Sequence, residues 1–233
     1  MFTNKRIMIV VAHPDDELLG LGASMHKLIC EKNIITHVVI LGEGITSRFK
    51  LRDLKLCEKE LTKHKSNIFN AQKLIGYHSI NTYGFPDNRF DSIALLDIVK
   101  IVEEEKEKFS PDIIFTHHEG DLNVDHRLTF QAVLTAIRPM QNENVKMLIT
   151  FETPSGTEWQ TASSLQFRPN FFISVSEEDI NAKLRAMEQY EYEIRAFPHP
   201  RSIEALKIKA QNRGIEVGCD FAEAFNIVRL IEM

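Results

Sequence analysis

The chain has 233 residues, 43% of them hydrophobic and 26% charged, with a net charge of −5 and a pI near 6.0. That composition suits a water-soluble globular protein with one large core, and it lacks the basic excess of a nucleic-acid or anionic-membrane binder. Cys30, Cys57 and Cys219 are widely spaced, odd in number and form no C-x-x-C pair, which suggests neither a disulfide framework nor a cysteine zinc site and fits a reducing, cytoplasmic setting.

Lys5 and Arg6 precede the apolar run Ile7 to Ala12, which is too short for the core of a secretory signal and reads as a strand buried on both faces. No stretch approaches the roughly 20 apolar residues of a membrane span. A helix is expected over Leu18 to Lys32, weakened at Gly20 and Gly22, then a strand over Thr36 to Leu41 that enters the loop Gly42-Glu43-Gly44. Helical spacing over Asp53 to Leu74 predicts a helix closed by Gly76. Ile80 to Phe85 reads as a short strand ending in Pro86-Asp87-Asn88, and Ile93 to Lys108 as a helix. A buried strand follows at Ile113 to Thr116, then a polar turn from His117 to Asp125 and a helix from about His126 to Ile137. Met147 to Phe151 and Phe171 to Val175 read as strands, and Glu177 to Ile194 and Ser202 to Arg213 as helices. Strands alternating with helices predict a Rossmann-like α/β fold, doubly wound on a mostly parallel sheet. With no linker, one domain over 1–233 with a C-terminal elaboration is expected.

In open α/β sheets, ligands bind beyond the carboxyl ends of the strands. Two polar clusters stand there: His13-Pro14-Asp15-Asp16-Glu17 after the first strand, and His117 to His126 after the strand at Ile113. Taken singly, each cluster has a plain reading, with Asp15 or Asp16 capping a helix and a lone histidine hydrogen-bonded. Taken together they offer zinc its ligands in the absence of cysteine, and His13, Asp16 and His126 make a His2Asp set that leaves a position for water. Asp15 is then a carboxylate beside the metal, placed to act as general base. Asp125 either caps the helix after it or orients a neighbouring ligand.

Ala12-His13-Pro14-Asp15-Asp16-Glu17 resembles the hallmark motif of the LmbE/PIG-L deacetylases, and Asp125-His126-Arg127 is similar to their second signature. The resemblance implies hydrolysis of an N-acetyl group from a glucosamine-containing substrate, with one Zn2+ on His13, Asp16 and His126 and Asp15 as base. Four further stretches resemble a bacterial surface-polysaccharide subgroup: Phe85-Pro86-Asp87-Asn88, Phe151 to Trp159, Phe197 to Ser202 and Ala222 to Phe225. The partner implied is a small amino-sugar substrate, nucleotide-linked in the subgroup reading; a homo-oligomer stays open.

One position departs from the family. Asn123 stands where many members carry a histidine, and an amide donates a hydrogen bond but no proton. Either Asn123 alone supplies the electrostatic part or another histidine supplies the acid. His199, held between Pro198 and Pro200, is the expected donor, against the alternatives of Asp15 returning its proton or of a plain surface histidine. Arg48 and Asp87 are candidates for binding sugar hydroxyls or phosphate, or are solvated surface residues; Trp159 either stacks on a sugar or packs. Two other functions compete. One is a Mg2+ phosphoester hydrolase on Asp15, Asp16 and Asp125, disfavoured by the histidines. The other is a non-catalytic sugar- or nucleotide-binding module, disfavoured by the absence of a Gly-rich phosphate loop.

Overall fold

A computed structural model describes residues 1–161 and 165–232. The expected α/β fold is present. Its strands are β1 (Arg6–Val11), β2 (Ile35–Gly42), β3 (Ser79–Phe85), β4 (Ile113–His117), β5 (Met147–Phe151), β6 (Phe171–Val175) and β7 (Phe221–Leu230), in one sheet of order β3-β2-β1-β4-β5-β7-β6. The first five in that order run parallel, while β7 is antiparallel to both β5 and β6. The helices are α1 (Asp16–Leu19), α2 (Gly22–Lys32), α3 (Glu58–Ile75), α4 (Leu95–Phe109), α5 (Val124–Ala136), α6 (Glu177–Met187) and α7 (Ile203–Val217).

Strand β1 shows why the sheet is buried on both sides. Ile7, Ile9 and Val11 enter one core with Val38, Ile40 and Phe115. Met8, Val10 and Ala12 enter a second core with Val39, Ile114 and Leu148. Successive side chains alternate faces, so a continuous apolar run is what helices on both faces require. The same strand sets the site. Ile9 is level with Val38 of β2 on one side and with Phe115 of β4 on the other. The chain winds away from β1 in both directions, which makes the β1/β4 boundary the switch point of the sheet. The loops carrying His13 and His117, about a hundred residues apart in sequence, therefore emerge side by side.

Several expected boundaries move. The helix expected over Leu18 to Lys32 is two helices, because Gly20 packs against β5: a Cβ there would stand 2.1 Å from the Phe151 ring. The helix expected from Asp53 starts at Glu58 and closes as expected at Gly76, at φ 90° with its N–H donating to Gln72 O. The helix expected to Ile194 stops at Met187, and the following turns bring Tyr190 and Glu193 inward. Strand β7 lay hidden in a stretch singled out only for its resemblance.

Candidate metal and active site

His13 follows β1, Asp16 opens α1 and His126 lies in the first turn of α5; all three are at most 9% exposed. One ligand atom from each falls within 4.8 Å of the others. Asp16 Oδ2 stands 3.5 Å from His13 Nδ1 and 3.4 Å from His126 Nε2. Among the described residues neither Asp16 Oδ1 nor His126 Nε2 has a hydrogen-bond partner. A buried polar atom without a partner costs about 1–3 kcal/mol, and these two atoms, converging with the His13 ring, fit a divalent cation.

A carboxylate stands on the far side of each histidine. His13 Nε2 donates to Asp125 Oδ2 at 2.9 Å, and Asp125 Oδ1 accepts the Phe90 N–H at 2.9 Å. Asp121 Oδ1 lies 3.1 Å from His126 Nδ1. Such carboxylates turn each imidazole and raise its basicity as a ligand. The cap of α5 is Asn123, whose Oδ1 accepts the Asp125 N–H at 2.8 Å, while the Asp125 side chain is turned to His13. His13, Asp87 and Asp125 form a second close cluster, but its carboxylates are already committed: Asp87 Oδ2 accepts from Ser47 N and Oγ, and Oδ1 from Asn88. The first cluster is the better cation site, and a Mg2+ site using Asp125 loses its third carboxylate.

Replacing Asp125 by asparagine is expected to keep the volume but loosen His13, with metal affinity falling about 10–100-fold. Competition with a chelating dye measures it, and unchanged affinity would show that the contact to His13 does not matter.

Electrostatics follow from burial and these neighbours. Burial pushes the His126 pKa down, but Asp16 and Asp121 outweigh it and bring it up to about 9. Burial likewise lowers His13, while hydrogen bonds to Asp125 and Asp16 carry it well above the usual value. His117 is held down to about 4 by burial and the His126 charge; it is neutral, accepts the Ala12 N–H at Nε2 and stacks on His126 with centroids 3.9 Å apart. It supports the site without being a ligand. His118 points elsewhere, to Leu165 O and the Phe167 ring.

Asp15 is 1% exposed and does not join the cluster of ligands. Its backbone is left-handed at φ 108°, and its N–H donates to Glu17 Oε2 at 3.0 Å. That conformation, rare outside glycine, turns the carboxylate into a pocket of about 280 Å3 shared with His13, Arg48, Asn123, Trp159 and His199. Burial raises its pKa well above the usual value, opposed by the Arg201 guanidinium.

The residues expected around the substrate divide. Arg48 lines the pocket, bonded to Gly44 O and to the Glu193 carboxylate. Asp87 also lines the pocket, but it is 4% exposed and pins the loop at Ser47, a structural duty that sequence did not indicate. Trp159 is exposed at the mouth, edge-on to His199 with centroids 5.2 Å apart. His199 Nδ1 accepts the Arg201 N–H at 3.0 Å, leaving the ring proton on Nε2. Burial and the Arg201 and Arg195 charges lower its pKa, which favours the neutral ring.

Sequence reading missed Arg201, Glu193 and Glu17. Arg201 donates to Asp15 Oδ2, Glu193 Oε2 and Ser155 Oγ. Glu17 bonds the Tyr190 hydroxyl at 2.7 Å, and burial raises its pKa to about 7. Glu17 lies in the Ala12 to Glu17 motif and Arg201 in the Phe197 to Ser202 stretch, where the motif chemistry points to their neighbours instead.

Comparison with known proteins places the chain in a family. The family PIG-L, described as GlcNAc-PI de-N-acetylase, matches residues 8–137. A protein of Escherichia coli (strain K12) described as the uncharacterized deacetylase YaiS is 30% identical over 194 residues, covering 80% of this chain and 92% of its own. Among solved structures, the zinc inhibited form of teicoplanin deacetylase Orf2 superposes with a TM-score of 0.77 at 14% identity, covering 98% of this chain and all of that one. GalB, the 4-carboxy-2-hydroxymuconate hydratase of Pseudomonas putida KT2440, has a TM-score of 0.74 at 19% identity, covering 98% and 99%. At such identities the likeness shows a shared fold, and that fold carries more than one reaction.

Proposed function

The chain belongs to the PIG-L (LmbE-like) family, and from that premise we propose that it is a metal-dependent hydrolase removing an N-acetyl group from an amino sugar or amino-sugar conjugate. The observation that carries this reading is the pairing of three converging, buried donors with a separate carboxylate, Asp15, on the same pocket. Two imidazoles and one carboxylate suit zinc better than magnesium. A cation held by His13, Asp16 and His126 supplies Lewis acidity, acidifying water and polarising an amide carbonyl. Asp125 and Asp121 fix the histidines in ligating orientation. Asp15 takes a proton from the attacking water and returns it to the nitrogen, so the amine leaves neutral. His199, with its proton on Nε2, contributes a hydrogen bond from the pocket wall, and Arg48 and Trp159 border the space for the sugar. A hydratase reaction on the same fold is the second reading, favoured by the likeness to GalB, whereas the family and YaiS favour deacetylation.

Incubation of the zinc-loaded protein with N-acetylglucosamine conjugates is expected to release acetate and free amine in equal amounts. Metal-loaded protein that releases neither from a broad panel would sink the reading.

A further inference from the structure

Asn123 is spent on the fold. Its Oδ1 accepts the Asp125 N–H, which fixes the amide's orientation, and its Nδ2 donates to Asn88 Oδ1 at 3.0 Å. A capping amide held at both ends has no charge to set against a developing oxyanion. His199 in the same pocket has its Nδ1 taken by the Arg201 N–H, and burial with the Arg201 and Arg195 charges lowers its pKa.

Of the arginines lining the pocket, Arg48, Arg195 and Arg201, it is Arg201 that is bonded to Asp15. Its Nε donates to Ser155 Oγ at 3.0 Å, and its Nη1 to Asp15 Oδ2 at 3.2 Å and Glu193 Oε2 at 3.3 Å. Glu193 is 5% exposed and also held by Arg48, so the guanidinium is clamped from two sides. Nη2 takes no partner among the described residues, and the side chain keeps 23% of its surface open on the pocket that holds Asp15 and His13. Asp15, Asp16, Glu193 and Asp121 all favour its charged form. A rigid guanidinium with one arm free is a preorganised donor, the kind that acts on charge as it develops.

We propose that Arg201 is a catalytic residue whose Nη2 donates to the acyl oxygen as it becomes an oxyanion, supplying the positive charge that Asn123 lacks. The assignment rests on the deacetylase reading. The water oxygen bonds to the acyl carbon, the carbonyl pair moves onto oxygen, and Asp15 takes the water's proton. On collapse the carbonyl re-forms, the C–N bond breaks with its pair going to nitrogen, and the proton on Asp15 follows. Arg201 stays protonated throughout.

The test uses zinc-loaded wild type, Arg201→Lys and Arg201→Gln, with methyl N-acetylglucosaminide as substrate and its N-methylphosphonyl counterpart as a tetrahedral, anionic mimic. In Arg201→Gln, kcat is expected to fall about 10²–10³-fold, with KM within a few-fold and zinc content unchanged. Affinity for the mimic should fall in step with kcat/KM across the three proteins. Arg201→Lys, which keeps the charge beside Glu193 but loses the forked donor, should lie between and guards against misfolding of the glutamine variant. Slowed turnover with undiminished binding of the mimic would overturn the proposal, since Arg201 would then only position Asp15. A raised KM with unchanged kcat would overturn it too, leaving a ground-state contact. Absence of acetate release by wild type would instead bring down the deacetylase reading itself.

Discussion

His126→Ala is expected to empty the metal site and bring deacetylation to background. The residue is 1% exposed, and its Nε2 faces Asp16 with no other partner among the described residues. Its other nitrogen stands beside Asp121, which is itself tied to the Asn123 N–H at 2.9 Å and the Thr157 hydroxyl at 3.2 Å. The support around Asp121 does not depend on the His126 ring, so only the imidazole is missing in the variant. A structural carboxylate behind a ligand is worth about 10–100-fold in affinity; one of three direct ligands must be worth more. Elemental analysis after gel filtration should fall from about one zinc per chain to a small fraction. His118→Ala is the control, because that ring bonds Leu165 O and packs on Phe167 and should leave the metal in place. The imidazole also stacks on His117, so thermal unfolding should accompany the measurement. Full occupancy in a folded His126→Ala protein would reject the ligand set.

The parts of this arrangement that were legible in the sequence are those with local chemistry. Ile7 to Ala12 declares a doubly buried strand because every residue is apolar, and His13 to Glu17 declares a candidate ligand loop by its density of donors after that strand. Strand β7 was not legible. Its antiparallel neighbours and the polar residues Glu223, Asn226 and Arg229 break the pattern of a core parallel strand. Buried Glu223 is tolerated because Lys183 and the Ser24 N–H meet it at 2.6 and 2.7 Å, partners remote in sequence. Arg201 was hidden for the same reason: a lone arginine beside prolines has no signature, and its meaning comes from Asp15, 186 residues away, and Ser155, 46 away. Asp125 shows the intermediate case. Sequence left it between capping and orienting a ligand, and the choice turned on Asn123 taking the cap.

Asp15→Asn is expected to abolish most turnover while sparing both metal and fold. The substitution keeps the side-chain volume and an oxygen that accepts from Arg201. It also suits the backbone: asparagine enters the left-handed region more readily than most residues, and φ here is 108°. The hydrogen bond from the Asp15 N–H to Glu17 Oε2 is a main-chain contact and survives. What disappears is the group that can hold a proton. Burial already lifts that carboxyl well above the usual range against the pull of Arg201, a balance that suits a group meant to take a proton and give it up again. Losing a general base costs about 10²–10⁴-fold in rate, so kcat should drop by that much with zinc content and unfolding temperature unchanged. Asp15→Ala is the poorer experiment, since alanine at positive φ adds strain and a loss of activity there would have two causes. Turnover in Asp15→Asn equal to wild type would exclude the carboxylate as base. Loss of zinc in the same variant would move Asp15 into the ligand set and force a search for another base on the pocket wall, where Glu193 is a carboxylate also bound to Arg201.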